Sequence, residues 1–295
     1  AECDAREAFS DDGALVVDLS VVVVALGGSS KSVHPTFSSF YKHVWDHINR
    51  IGFNNTRIDI VADNYTEPNV LKKGTWERRG TAGTQSMFQP DSAFPKPTEF
   101  SGDFMKNTTN KCLLYEQLIS FMLNEAEKRA DKTFVFTKGR RVLSNKIVEM
   151  EPSSHLEADS RIILHLFACL QSGCNRVTVR TNDSDVVILV TSYYNELCKM
   201  SPKVFIMTGS YFLRVKDIVG YIGQERCKSL PLLFALSGCD YVESFFNIGK
   251  KTFFDKYLKC NIFEVFDQLI ENPERIIELF GEISGFVLQL SLIHI

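Results

Sequence analysis

Along the chain, short runs rich in β-branched and aromatic residues alternate with longer stretches whose apolar positions recur every three to four residues. The short runs predict strands at Ala14–Val24, Arg57–Val61, Thr133–Phe136, Val177–Arg180 and Lys203–Met207. The longer stretches predict helices at Phe37–Ile51, Lys111–Arg129, His155–Gln171, Val215–Gly223 and Cys227–Ser237. Such alternation defines an α/β fold, with a mainly parallel central sheet flanked by helices. Beyond Asn261, the pattern IFEVFDQLIENPERIIELF predicts two more helices, broken near Pro273. The closing LQLSLIHI does not continue that pattern and reads as a frayed end or a truncated reading frame. Residues 1–240 are thus expected to form the α/β core and residues 241–295 a helical region. Within the core, residues 64–152 form an insertion. Its first part, Asn64 to Asn110, carries Pro68, Pro90, Pro95 and Pro97 and is expected to be irregular, mobile and on the surface.

The most hydrophobic stretch, ALVVDLSVVVVAL from Ala14 to Leu26, is too short to span a bilayer and contains Asp18. Its valines make it a buried strand, and no membrane segment is expected. At 44% hydrophobic and 23% charged residues, the 295-residue chain has an ordinary globular composition and ample material for a core. Eight cysteines without a C-x-x-C pair argue against a zinc ribbon and for a reducing compartment. A net charge of −3 and a pI of about 6.1 count against a plain duplex-binding surface. They do not if the acids gather at a metal site, where two divalent ions reverse the local sign.

The acidic residues do fall at informative places. Asp18 lies in the first strand, where an unpaired charge is costly. Asp63 closes IDIVADNY after the second strand, and Asp240 ends FALSGCDY. Glu157 and Asp159 open the helix in SHLEADSRIILHLF, and Asp183 and Asp185 follow the strand at Val177–Arg180. Each has a plain structural reading: turn residues, helix caps, or carboxylates at the positive end of a helix dipole. Asp183 and Asp185 frame the choice, because two carboxylates so close either cap a helix or share a cation. His43 and His47 have the i, i+4 spacing of some zinc sites but no H-E-x-x-H context, so a solvated helix face is the better reading. A phosphohydrolase with Asp18 as nucleophile would want a second Asp two residues on, where Ser20 stands.

The motifs VVDLS, VADNY, EAD, TNDSD and SGCDYVESFFNIGKK, in that order, resemble the PIN-like nucleases of the flap-endonuclease, xeroderma pigmentosum G and Asteroid types. The wording is nearest to poorly characterised PIN-like proteins of invertebrates. The resemblance implies that Asp18, Asp63, Glu157, Asp159, Asp183, Asp185 and Asp240 line one site for two Mg²⁺ ions, with Mn²⁺ as a substitute. It implies two-metal hydrolysis of phosphodiester bonds in nucleic acid, DNA before RNA, and a nuclear location. Lys72, Lys73, Arg78 and Arg79 would hold the backbone as a group, with Trp76 among them as a stacking or packing ring.

The segment around Asn247, Ile248, Gly249, Lys250 and Lys251 resembles a helix-two-turn-helix element. Its turn would contact a duplex phosphate with a K⁺ ion, although Asn247 stands where the family has Gly. Residues 64–152 are unlike the family's helical arch, which leaves a 5′ flap, single-stranded DNA, RNA and branched structures all open as substrates. The alternative function is a catalytically inactive PIN-like nucleic-acid-binding or adaptor protein.

Overall fold

The computed structural model describes residues 13–31, 33–64, 83–239, 242, 244–245 and 248–291. A seven-stranded sheet runs through them in the order β4-β3-β2-β1-β5-β6-β7. Its strands are β1 (Gly13–Asp18), β2 (Asn55–Val61), β3 (Thr133–Lys138), β4 (Arg141–Ser144), β5 (Arg176–Arg180), β6 (Val204–Thr208) and β7 (Tyr211–Arg214). The five inner strands are parallel, and the two edges, β4 and β7, pair antiparallel with their neighbours. Helices cover both faces, and a helical region follows the sheet. This is the mainly parallel α/β fold that the alternation predicts.

The longer helices are α1 (Leu19–Gly27), α2 (Phe37–Ile51), α3 (Thr108–Glu127), α4 (Ala158–Gln171), α5 (Ser184–Ser192), α6 (Val215–Ile222), α7 (Leu230–Leu236), α8 (Lys250–Tyr257), α9 (Ile262–Glu271) and α10 (Ile276–Ser291). Every residue of β1 is buried, as a central parallel strand requires. Leu15 and Val17 face one core with Ile58, Ile60, Phe134 and Phe136, under α1, α2 and α3. Ala14 and Val16 face the other with Val177, Val179 and Ile206, under α4, α5 and the C-terminal helices.

The structure corrects three expectations. The first strand ends at Asp18, and VVVV belongs to α1 instead. Asp18 caps that helix, accepting from Ser20 N–H at 3.0 Å. Burial of Leu19, Val22 and Val23 then outweighs the valines' modest dislike of helix. Residues 83–110 are not merely a surface excursion, because Phe88, Phe100 and Phe104 are buried in the core beneath α2. Finally, α10 continues through the closing LQLS instead of fraying there. The short edge strands β4 and β7, too brief to stand out as runs, were not expected.

A buried polar cluster clamps α4 to β2. Asp59, fully buried, accepts from Arg57 Nε at 2.7 Å and Arg57 Nη2 at 2.8 Å. His165 Nδ1 on α4 lies 2.7 Å from the same carboxylate. An ionised carboxylate can only accept, so His165 Nδ1 donates to Asp59, while Nε2 has no hydrogen-bond partner among the described residues. Burial alone would push the Asp59 carboxyl up, but the Arg57 and His165 bonds overcome it and hold the group below the usual carboxylate range. Arg57 also reaches Ser172 Oγ, just past α4, at 3.0 Å.

Candidate metal centre

The sheet reverses direction at β1. Its neighbours β2 and β5 lead away to opposite edges, and their connections use opposite faces. In open α/β sheets, such a switch point leaves a crevice beyond the carboxyl ends of the strands. The strands also end level: Asp18 is in register with Val61 of β2, and Val17 with Arg180 of β5. The residues that follow each strand therefore meet at one place.

A cavity of about 1130 Å³ opens there, larger than the roughly 300–1,000 Å³ usual for a small-molecule cleft. Asp18, Asp63, Glu157, Asp159, Asp183 and Asp185 all line it. The structure thus brings together six of the seven acidic residues singled out in the sequence. The seventh, Asp240, lies outside the described residues, as do Lys72, Lys73, Trp76, Arg78, Arg79 and Asn247. Gly249 and Lys250 line the same cavity from the start of α8; Lys250 and Lys251 are both exposed, and Lys251 does not line it.

Helix starts hold these carboxylates. Asp18 caps α1, and its Oδ1 also accepts from Ser20 Oγ at 2.7 Å. Asp63 Oδ1 accepts from Ala158 N–H, the first residue of α4, at 2.7 Å. Asp183 caps α5 by accepting from Asp185 N–H at 2.9 Å. Asp159 and Asp185 sit in the first turns of α4 and α5. Thr181 links two segments, donating to Asp18 Oδ2 at 3.3 Å and accepting from Asp183 N–H at 3.0 Å. The two readings of Asp183 are therefore not exclusive: it caps a helix and faces the cavity. The positive ends of α1, α4 and α5 offset part of the repulsion.

The remaining repulsion shows in the titration behaviour. Burial first, then the charges of Asp183, Asp63, Glu157 and Asp18, push the Asp159 carboxyl up to about 8. Asp18 is raised by burial and then by Asp63, against the bonds from Ser20 and Thr181. Asp185 is raised by burial and Asp183, with Lys250 pulling the other way. A raised carboxylate costs stability as pH climbs from the unfolded value near 4 through the folded value. In chelator-treated buffer, Asp159→Asn should therefore melt higher than wild type at pH 8, by on the order of 2 kcal/mol. That is well under the full displacement, because the carboxyl keeps some contact with water. The gap should close toward pH 4. Melting curves across that range check it, and equal stability at pH 8 would refute the buried, crowded carboxyl.

The donor set suits a hard divalent cation: all six are carboxylates, and no histidine is among the described residues that line the cavity. Among the described residues, no group of three or more His, Cys, Asp or Glu side chains forms a ready-made cage for one ion. What fits the metal is the chemistry of the donors and their crowding in one place.

Sequence reasoning missed the supporting groups. Arg161, buried on α4, donates to His155 O at 2.8 Å, Ala62 O at 3.2 Å and Gly139 O, tying the loops around Asp63 to the start of α4. Gly238 has φ +100, and a Cβ there would lie 2.6 Å from Ser244 Cβ. A left-handed φ packed this tightly against Ser244 suits only glycine. A Gly one residue before the Cys-Asp pair was the available clue. His43 and His47 are half-buried: His43 Nδ1 lies 3.5 Å from His34 Nε2, and burial followed by Arg50 brings His47 down to about 4.

No protein-family profile matches the chain, and no curated protein matches it in sequence. Among solved structures, it is similar to the T5 D15 protein co-crystallised with metal ions, over 82% of this chain and 73% of that one. The identity is 14% and the TM-score 0.44. It is also similar to the catalytic core of Rad2 in complex with DNA substrate, at 15% identity and a TM-score of 0.45. That match covers 97% of this chain and 79% of that catalytic-core chain. A further complex of the same core covers 92% of this chain and 76% of its own, at 13% identity and a TM-score of 0.44. The fold class given above rests on this chain's own sheet.

Proposed function

We propose that this chain is a divalent-metal-dependent phosphodiesterase acting on nucleic acid. The observation that carries the reading is the meeting of six carboxylates, from four separate stretches of sequence, in one cavity at the switch point of the sheet. Asp18, Asp63, Glu157, Asp159, Asp183 and Asp185 would hold the ions, joined by Asp240 on the strength of the motif resemblance. Mg²⁺ is the expected ion, and Mn²⁺ the expected substitute. Two such ions, when bound, supply a hydroxide at neutral pH and neutralise charge on the reacting phosphate.

The protein's own part is positioning. Ser20 and Thr181 fix the two oxygens of Asp18, Ala158 N–H fixes Asp63, and Asp185 N–H fixes Asp183. The test is cleavage of labelled 5′-flap, single-stranded, duplex and RNA substrates with Mg²⁺ or Mn²⁺. The expected result is cutting of at least one substrate, stopped by EDTA.

The lack of a ready-made cage among the described residues favours a second reading, an inactive nucleic-acid-binding adaptor. Binding without cutting of any substrate, with either ion, would establish that reading instead.

A further inference from the structure

Six acidic side chains line the cavity, and among the described lining residues only one, Lys250, is cationic. A polyanion meets strong repulsion at such a wall unless cations face it, and two divalent ions leave the six carboxylates short of neutral. Lys250 opens α8, and its Nζ lies 3.4 Å from the centroid of the Phe234 ring, which lines the cavity from α7. A ring face at that distance attracts an ammonium and limits where its flexible stem can place it.

We propose that Lys250, held on the face of Phe234, receives a substrate phosphate inside the carboxylate cavity. The C-terminal helical region then supplies a cation to the reacting segment itself, a different place from the duplex phosphate that the motif resemblance assigns to the turn. This rests on the nuclease reading. Lys250 is the contacting group, and Phe234 is a positioning residue that acts through it.

The test pairs cleavage rate in Mg²⁺ with the salt dependence of binding to a labelled 5′-flap oligonucleotide. Binding is read in an Asp183→Ala/Asp185→Ala background so that cutting does not intervene. Lys250→Met should lower the slope of log affinity against log salt by about one and slow cleavage roughly tenfold. Lys250→Arg should restore the slope. Phe234→Leu should slow cleavage while keeping the slope, and Phe234→Tyr, which keeps the ring face, should restore the rate. A Lys250→Met protein that binds with the wild-type slope and cuts at the wild-type rate would overturn the assignment and leave the nuclease reading intact. A wild-type protein that neither binds nor cuts any nucleic acid would overturn both.

Discussion

Asp183→Ala/Asp185→Ala should lose metal-dependent cleavage by at least about 10³-fold, equivalent to roughly 4 kcal/mol of transition-state stabilisation. The expectation rests on the place of the pair in the cavity, where no histidine is among the described lining residues to carry part of the chemistry. The fold should survive. Losing the Asp183 cap on α5 costs about 1 kcal/mol, while removing two crowded charges offsets part of that. Circular dichroism and a melting curve establish that the variant is folded, and single-turnover cleavage reads the loss. A folded double variant that still cuts within tenfold of wild type would remove these two carboxylates from the chemistry.

The largest stability effect is expected away from the cavity. Asp59→Ala should destabilise the protein by about 3–5 kcal/mol, lowering the melting temperature by roughly 10 °C. The variant leaves Arg57 buried without its carboxylate, and strips His165 Nδ1 of its acceptor. Asp59→Asn, which keeps the shape and one acceptor oxygen, should fall between the two. Because His165 lies on the helix that Glu157 and Asp159 open, a weakened clamp should also lower metal affinity. Calorimetric titration with Mn²⁺ at a temperature where the variant is folded reads that. A loss of stability below 1 kcal/mol would mean that the cluster contributes little once its desolvation is counted.

The carboxylates of the site were legible in the sequence because each ends a strand or starts a helix, and the order of the motifs carried the resemblance. Their convergence follows from level strand ends, which no local pattern records. The helix at Leu19–Gly27 was not legible, since four consecutive valines favour a strand locally and the cap at Asp18 decides otherwise. Nor was the clamp on α4. Asp59 reads as one polar residue in a strand, and its histidine partner stands 106 residues away. Lys250 was visible as a basic residue after a turn, but its place beside the carboxylates is a long-range contact that no local pattern records.

The switch point also sets an order of events during synthesis. Asp18 and Thr181 touch across 163 residues, and β5 completes the centre of the sheet by pairing with β1, a strand made long before it. A nascent chain that has formed β1 to β4 still has one flank of β1 open and lacks both Asp183 and Asp185. Closing so long a loop comes late in folding. Full metal affinity should thus be withheld until most of the core has been translated.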